Sequence, residues 1–310
     1  MNSLPNHARP LSRRGMLGSG AAVAVAALVA GCNEEDRGGS TNVSFVRGAE
    51  PRVRRGRLKQ SICKWCFQKH WDLEALCKVV KELGCESIEL VAPSDYPTLK
   101  RHGLTCALAG SHWFDKGMNN PKYHEMCLAK IREAVDLAAA AGVPNVITFT
   151  GLREDIADDA GAKNCVDGLK KVVGYAEEKK VTLVLEMLNS RVPEDMIGVP
   201  GYQGDHLDYC ADIVRKVGSP RMKLLFDVFH VQIMDGDVIA RIRQYAAYIG
   251  HVHTAGNPGR HELDDTQEIN YRAVFRALAD VKYTGYVGHE FLPTRDPLQG
   301  LSQAVALATV

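Results

Sequence analysis

The stretch VTLVLE at residues 181–186 is an apolar run that ends in a carboxylate, and MKLLFD at residues 222–227 repeats the pattern. Continuous apolar runs of this kind are typical of parallel strands whose outer face is covered by helices. An acidic residue at the end of each run would lie where the strand leaves the core. The two stretches therefore predict a buried parallel sheet, and they raise the question of what its terminal carboxylates do.

The same kind of strand recurs after helix-like stretches that end in glycine. The stretches LGCESIELV, HGLTCALAG, AGVPNVITFT and VGSPRMKLLFD each carry a glycine where a left-handed cap would end a helix, and an apolar strand follows. The predicted strands lie near residues 58–63, 86–91, 104–109, 145–150, 181–186, 222–227, 249–253 and 284–290. The predicted helices lie near residues 72–83, 95–102, 121–141, 160–179, 205–217, 236–247, 270–280 and 297–307.

Eight alternations of strand and helix predict an α/β fold of the (β/α)8 TIM barrel type, which typically needs about 250 residues. We assign this barrel to a single domain over residues 58–310. A doubly wound open sheet is the alternative. No G-x-G-x-x-G motif follows the first strand, and this counts against a dinucleotide-binding sheet.

Composition and charge describe an ordinary soluble globular protein. Of the 310 residues, 45% are hydrophobic and 24% are charged, and the formal net charge is +1. A charge so close to neutral does not indicate a nucleic-acid partner.

Among the nine cysteines, Cys63 and Cys66 form a CxxC motif at the end of the first predicted strand. Redox chemistry would place that motif at the start of a helix in a thioredoxin-like unit, so it is not favoured here, and the oxidation state of the pair stays open.

Residues 1–31 are predicted to be an export signal. SRRGML at residues 12–17 is a twin-arginine motif, and the uncharged stretch GSGAAVAVAALVAG at residues 18–31 is too short to span a bilayer. The stretch LVAGC ends at Cys32 and resembles the lipobox of bacterial lipoproteins, which implies acylation of Cys32 and membrane anchoring. An uncleaved anchor and a signal cut elsewhere are the alternatives.

Residues 32–57 are polar, contain glycine and lack an apolar period, so we expect a flexible tether. The barrel would then lie in the periplasm or be anchored on the outer face of a membrane. Twin-arginine signals are typical of proteins that fold before they cross the membrane, often around a cofactor. This route agrees with a metal that is loaded in the cytoplasm.

Four consecutive predicted strands end in residues that can bind a metal: Glu186, Asp227, His253 and Glu290. In a barrel all strand ends open on one face, the face that carries the chemistry of such folds. Three neighbouring carboxylates are costly without a cation, so the pattern predicts one divalent metal. Three oxygens and one nitrogen suit Mn²⁺ or Mg²⁺, with Co²⁺ as a further option. Taken singly, each carboxylate could be a helix N-cap and the histidine a core residue.

The segments LVLEMLNSR, FDVFHVQ, HVHTAGNPGRHE with the following EINY, and GYVGHEF carry a family resemblance. Over residues 58–310 the chain resembles the xylose isomerase-like barrel superfamily, and within it the hydroxypyruvate isomerase-like branch near the ketose 3-epimerases. The resemblance implies that the four strand-end residues bind one divalent metal and that Glu186 and Glu290 exchange protons with the substrate. It also implies that His230 and Arg260 hold substrate oxygens. The hydroxypyruvate isomerases often carry glutamine where this chain has His253, whereas the epimerases carry histidine, so the substrate stays open.

We therefore expect a metal-dependent isomerase that interconverts hydroxypyruvate and tartronate semialdehyde, or a related small hydroxy-keto compound, through an enediolate. Arg260 would pair with the substrate carboxylate, and further substrate contacts are expected from Arg191, Asn189 and His112. A ketose 3-epimerase or keto-sugar dehydratase acting on a larger sugar is one alternative. A non-catalytic, lipid-anchored carbohydrate-binding barrel is another, and a homo-oligomer is an open option. A related endonuclease would need more histidines at the strand ends and a basic groove, and the chain has neither.

Overall fold

The computed structural model describes residues 56–310. The predicted signal peptide at residues 1–31, the predicted lipidation site Cys32 and the tether up to residue 55 lie outside the described residues. Within residues 56–310, no helix combines the length and apolar character needed to cross a membrane.

Eight parallel strands form the wall of a barrel: β1 Lys59–Cys63, β2 Ser87–Glu89, β3 Leu108–Ala109, β4 Asn145–Phe149, β5 Thr182–Glu186, β6 Met222–Asp227, β7 Ile249–Thr254 and β8 Tyr286–His289. From β3 to β8 each strand pairs with the next, β8 pairs with β1, and β1 pairs with β2. A parallel bridge between Ser87 and Thr105 links β2 to the segment before β3. The predicted TIM barrel is confirmed.

The described residues contain eleven α-helices: α1 Lys64–Phe67, α2 Leu73–Glu82, α3 Tyr96–Arg101, α4 His124–Ala141, α5 Asp158–Lys170, α6 Val173–Glu178, α7 Leu207–Val217, α8 Val228–Met234, α9 Val238–Tyr245, α10 Tyr271–Asp280 and α11 Pro297–Ala308. Short 3₁₀ turns precede α3 and α4 and follow α9. The helix expected over residues 160–179 is divided into α5 and α6. The third strand is shorter than expected, because only Thr105 of its first half makes a bridge.

Helix ends follow from local chemistry. The side chain of Asp72 accepts a hydrogen bond from the backbone N–H of Ala75 and so caps the start of α2. Gly142 and Gly218 end α4 and α7 in the left-handed region, with φ of 75° and 77°. Glycine adopts that conformation without the penalty that a Cβ would bring, so each helix stops and a short loop leads into the next strand.

Alternate strand residues face opposite sides of the barrel wall. Leu183, Leu185, Leu224 and Phe226 belong to the large cluster that joins the wall to the surrounding helices. Val184, Leu225, Ile147 and Leu108 form a second cluster that fills one half of the barrel interior. The other half is polar and fully buried, and it contains Ser61, Ser87, Glu89, His251 and His253. The barrel interior is therefore divided into an apolar side at β3–β6 and a polar side at β7, β8, β1 and β2.

Candidate active site at the carboxyl ends of the strands

Four side chains meet where β5, β6, β7 and β8 end. Glu186 and Asp227 are the last residues of β5 and β6, His253 is the penultimate residue of β7, and Glu290 directly follows β8. Each of the four offers a ligand atom that lies within 4.8 Å of the others, and all four residues are buried. The barrel geometry therefore brings together residues that are up to 104 positions apart in the sequence, counting from Glu186 to Glu290.

Hydrogen bonds hold the acidic side chains in place. The Oδ1 atom of Asp227 accepts hydrogen bonds from the backbone N–H groups of Phe229 at 2.8 Å and His230 at 3.3 Å. This cap starts α8, a helix that the sequence did not predict. The other oxygen of Asp227, Oδ2, lies 3.9 Å from Nη2 of Arg260. At Glu186 the backbone is held instead, because the hydroxyl of Tyr202 donates to its carbonyl at 2.9 Å.

Glu290 is surrounded by donors. Its Oε1 accepts a hydrogen bond from Nε1 of Trp65 at 2.9 Å, and its Oε2 accepts one from Nη2 of Arg260 at 2.6 Å. Burial alone would raise the pKa of Glu290, but the charges of His253 and Arg260 outweigh burial and hold that pKa well below its ordinary value. Glu290 is therefore held as a carboxylate.

Glu186 has the opposite environment. Burial raises the pKa of this carboxyl to about 7, and the neighbouring His253, whose Nδ1 lies 3.4 Å from Oε1, lowers the pKa only in part. Its Oε1 has no hydrogen-bond partner among residues 56–310. The two glutamates thus differ strongly in proton affinity, an arrangement in which two carboxyl groups can take different roles in proton transfer.

His253 connects the acidic cluster, which consists of Glu186, Asp227 and Glu290, with the interior of the barrel. Its Nδ1 lies 2.9 Å from Oε2 of Glu290 and 3.4 Å from Oε1 of Glu186. Its Nε2 lies 2.8 Å from Oε1 of Glu89. Burial alone would lower the pKa of His253, but the charge of Glu290 outweighs burial and raises it well above its ordinary value. Without a cation, the imidazole therefore carries part of the positive charge that the carboxylates require.

These residues fit a divalent cation. Oε1 of Glu186 and Nδ1 of His253 are buried atoms without a hydrogen-bond partner in the described part of the chain. A buried polar atom left unpaired is costly, and a cation would satisfy both atoms at once. The donor set is three carboxylates and one imidazole, a combination that transition metals and Mg²⁺ accept.

The structure defines the protonation of His230. Its Nδ1 accepts hydrogen bonds from the backbone N–H of Asn189 at 3.2 Å and from the side-chain amide of Asn189 at 2.8 Å. Burial lowers the pKa of His230 to about 4, so the ring is neutral and its proton must be on Nε2. That Nε2 lies 3.6 Å from Asp227 Oδ2 and has no hydrogen-bond partner in the described structure. His230 therefore offers a free N–H donor beside the acidic cluster.

The three remaining candidate residues differ in their surroundings. Arg260 is buried, follows Gly259 in a left-handed turn, and donates from Nη1 to the carbonyl of Met196 at 2.6 Å. Arg191 is exposed on the loop after β5. His112 is buried, its Nε2 lies 2.9 Å from Thr148 Oγ1, and its Nδ1 lies within hydrogen-bond distance of two backbone carbonyls. Both ring nitrogens of His112 are thus engaged within the protein.

Sequence reasoning missed two side chains that touch this cluster. Glu89 is the last residue of β2 and repeats the pattern of an acid at a strand end, but the predicted strand continued to residue 91 and hid that end. Trp65 lies inside the CxxC motif, in which the two cysteines are the only residues with a recognisable spacing. In the structure all eight cysteines of the described residues are free and buried, including Cys63 and Cys66.

Sequence comparison shows which known proteins this chain is similar to. The family model described as "Xylose isomerase-like TIM barrel" matches residues 77–308. A putative hydroxypyruvate isomerase of Homo sapiens is 30% identical over 234 residues, which cover 74% of this chain and 78% of that protein. A 2-oxo-tetronate isomerase of Cupriavidus necator is 33% identical over 248 residues, which cover 76% of this chain and 92% of that protein.

A solved structure shows the same fold. The crystal structure of an AP endonuclease, family 2, from Brucella melitensis superposes with a TM-score of 0.71 at 24% sequence identity. The match covers 79% of this chain and 98% of that chain. At this identity the likeness concerns the fold alone.

The proton on Glu186 predicts a specific pH dependence of stability in protein kept free of metal by EDTA. The folded-state pKa of about 7 exceeds the ordinary value of 4.5, so the folded protein retains a proton that the unfolded chain has lost between those pH values. The contribution of Glu186 to stability therefore falls as pH rises through this window. Because glutamine does not titrate, the free energy of unfolding of Glu186→Gln should increase relative to that of wild type by about 1–3 kcal/mol as the pH rises from 4.5 to 7.5. Urea unfolding at several pH values measures this, and a difference that is constant with pH would contradict the assignment.

Proposed function

Because this chain belongs to the xylose isomerase-like TIM barrel family, we propose that it is a divalent-metal-dependent isomerase of a small hydroxy-keto acid. The named relatives are isomerases and solved structures of the same fold include epimerases, so the chain is an enzyme of the isomerase or epimerase class. The reaction we propose interconverts hydroxypyruvate and tartronate semialdehyde. The observation that carries the proposal is the pair Glu186 and Glu290, which are buried side by side and differ in proton affinity.

Glu186, Asp227, His253 and Glu290 would hold one cation, for which we propose Mn²⁺ or Mg²⁺, with Co²⁺ as a further option. When bound there, the cation supplies Lewis acidity that stabilises negative charge on the oxygens of the substrate. The protein contributes fixed ligands in a pocket from which most water is excluded, because all four residues are buried.

Proton transfer begins at Glu186. In the protein without a cation, burial raises the pKa of this carboxyl to about 7, so Glu186 can take up and release a proton near neutral pH. With a cation in the site, one oxygen of Glu186 would be a ligand; in the forward direction the other oxygen removes a proton from C3 of hydroxypyruvate, and a proton is returned to C2. The proton of the C3 hydroxyl moves to the C2 oxygen, so C3 becomes the aldehyde carbon and no net oxidation or reduction occurs.

Arg260 links substrate binding to the second carboxyl. Its guanidinium donates to Glu290 at 2.6 Å, and it also has the planar donor geometry that binds a carboxylate through two hydrogen bonds. A substrate carboxylate that draws Arg260 away from Glu290 would raise the proton affinity of Glu290. Glu290 could then act as the proton-exchanging partner on the other side of the substrate.

Other side chains complete the proposed binding site. His230 donates from Nε2 to a substrate oxygen, a role supported by its fixed tautomer and its unpaired N–H. Arg191 is exposed on the loop after β5 and would contact substrate only at the mouth. His112 would act through the loop it holds, because both its ring nitrogens are engaged.

A ketose 3-epimerase is the second candidate. His253 favours it, because the epimerase branch that the sequence resembles carries histidine at this position. The printed names of the relatives favour an oxo acid instead, since hydroxypyruvate and 2-oxo-tetronate both carry a carboxylate. The buried, positively charged side chain of Arg260 beside the site agrees with an acidic substrate.

The location of the enzyme is a separate proposal that rests on sequence alone. We propose export by the twin-arginine route and anchoring through acylated Cys32, which would place the barrel in the periplasm or on the outer face of a membrane. A homo-oligomer is compatible with this arrangement.

Replacement of either glutamate tests the proton-transfer mechanism. Glu186→Gln and Glu290→Gln should each lower kcat for hydroxypyruvate isomerisation by about 10²–10⁴-fold, because an amide cannot exchange the proton. Glu194→Gln, an exposed glutamate on the loop after β5, is the matched control and should keep wild-type kcat. Turnover followed by NMR of substrate and product measures the effect. Unchanged turnover in Glu290→Gln would remove it from the mechanism.

Replacement of Arg260 tests the substrate class. Arg260→Ala should raise KM for hydroxypyruvate by about 10-fold or more, because a charge-assisted pair contributes about 1.5–3 kcal/mol. The KM for dihydroxyacetone, which lacks the carboxylate, should change much less. Arg272→Ala, an exposed arginine on α10, is the control. Equal effects on both substrates would exclude a carboxylate-binding role for Arg260.

A further inference from the structure

The polar half of the barrel interior contains a carboxylate that the proposed reaction does not use. Glu89 ends β2 and is fully buried, and its carboxylate contacts three side chains through a single oxygen. Nε2 of His253 lies 2.8 Å from Oε1 of Glu89, and Nε2 of His251 lies 2.9 Å from the same atom. The thiol of Cys63 donates to it at 3.3 Å. Glu89 thus lies between the interior of the barrel and the acidic cluster.

The contacts of Glu89 determine which nitrogen of His253 faces the acidic cluster. A carboxylate accepts hydrogen bonds, so the short contact with Glu89 requires an N–H on Nε2 of His253. Nδ1 is then the nitrogen that remains for the cluster, 3.4 Å from Glu186 and 2.9 Å from Glu290. Histidines that bind metals commonly have their other nitrogen held by a carboxylate in this way, which fixes both tautomer and ring orientation.

The neighbouring strand leaves space for this pair. Gly288 of β8 lies opposite His253 in the strand register. A Cβ at residue 288 would lie 2.3 Å from Oε1 of Glu89 and 2.9 Å from Cδ2 of His253, closer than real contacts allow. A glycine at this point of the barrel wall is therefore needed for Glu89 and His253 to meet. The pairing of Cys63 with Glu89 in the register of β1 and β2 places the carboxylate at the same level of the barrel.

Burying Glu89 has a cost that packing does not explain. A fully buried carboxylate is unfavourable unless it is paired, and here one of its oxygens, Oε2, has no hydrogen-bond partner in the described structure. An apolar residue would fill the space without that cost. The carboxylate is accounted for if its contact with His253 serves the site above it.

We propose that Glu89 is a positioning residue, which fixes the ring of His253 with Nε2–H towards the barrel interior and Nδ1 towards the cation site. The inference rests on the proposed metal site, because His253 acts there as a ligand. In this role Glu89 acts through His253 and is not one of the four proposed cation ligands. Its effect is expected on cation affinity first, and on turnover only through that affinity.

Calorimetric titration of the EDTA-treated full chain with Mn²⁺ tests this proposal. Glu89→Ala should weaken Mn²⁺ binding by about 10–100-fold, because the ring of His253 loses its orienting partner. Glu89→Gln should restore much of the affinity, since its amide oxygen can still accept the hydrogen bond from Nε2. Ser87→Ala is the matched control: Ser87 is buried on the same strand and bonds only Ser61, at 2.9 Å, among the described side chains. Its Mn²⁺ affinity should stay within about 3-fold of wild type, a change of less than 1 kcal/mol.

A spectroscopic reading separates positioning from general loosening of the fold. In the Mg²⁺-loaded wild type, the Nε2–H proton of His253 should be protected from exchange and visible by ¹H–¹⁵N NMR of the imidazole. The signal should be lost in Glu89→Ala and kept in Ser87→Ala. Glu89→Gln keeps the size of the side chain and an oxygen that accepts the hydrogen bond, so it should keep the signal. This variant tests the proposal if Glu89→Ala fails to fold, and loss of the signal in it would contradict the proposal.

The outcomes distinguish the two proposals. Wild type that binds no divalent cation would overturn the metal site and the role of Glu89 with it. Wild type that binds Mn²⁺, with Glu89→Ala binding it equally well and keeping the Nε2–H signal, would overturn the role of Glu89 alone. Equal weakening in Glu89→Ala and Ser87→Ala would also overturn that role, since the loss would then follow from disturbance of β2.

Discussion

The mutual repulsion of three buried carboxylates is the constraint that organises the carboxyl face of this barrel. Glu186, Asp227 and Glu290 approach one another where water cannot screen their charges. Each is compensated differently: Asp227 accepts backbone N–H groups, Glu290 pairs with Arg260, and Glu186 takes up a proton near neutral pH. A divalent cation would neutralise the negative charge of these three carboxylates more fully. The repulsion that shapes the site is therefore also the reason to expect a cation there.

The barrel satisfies this constraint by dividing its interior. On the side of β3–β6, apolar residues such as Ile147 and Leu225 fill the space below the cluster. On the other side, Glu89, His251 and His253 form a buried polar network that reaches the cluster from below. The apolar side excludes water and keeps the electrostatic interactions strong, while the polar side orients an imidazole. Both are needed, because a purely apolar interior could not hold His253 in a defined tautomer.

Much of the fold could be predicted from sequence because its signals are local. Apolar runs such as residues 181–186, and glycines that end helices such as Gly142, depend on neighbours within a few residues, and they gave the number of strands and the barrel. Features that depend on where a strand stops were less accessible. The sequence could not show that β2 ends at Glu89, nor that Asp227 starts a helix immediately after β6.

The interactions within the site depend on register between distant strands. Glu89 and His253 are 164 positions apart, and Trp65 and Glu290 are 225 apart, so no local pattern links them. The four strand-end residues could be named because each lies within one residue of the carboxyl end of its own strand. Their partners could not, because a tryptophan after β1 or an acid in an overlong predicted strand has no distinguishing pattern. The roles of Arg191 and His112, which rest on proximity in sequence to the strand ends, stay predictions.

The most direct measurement of the central claim is the exchange of the C3 protons of hydroxypyruvate in D₂O, followed by ¹H NMR with the Mg²⁺-loaded protein. The account predicts enzyme-dependent loss of that signal, which stops when EDTA is added and resumes when Mg²⁺ is restored. Exchange that persists after the cation is removed would contradict the metal-dependent mechanism. Absence of exchange with hydroxypyruvate and with a panel of ketoses, from folded protein that binds the cation, would contradict the proposed isomerase reaction itself.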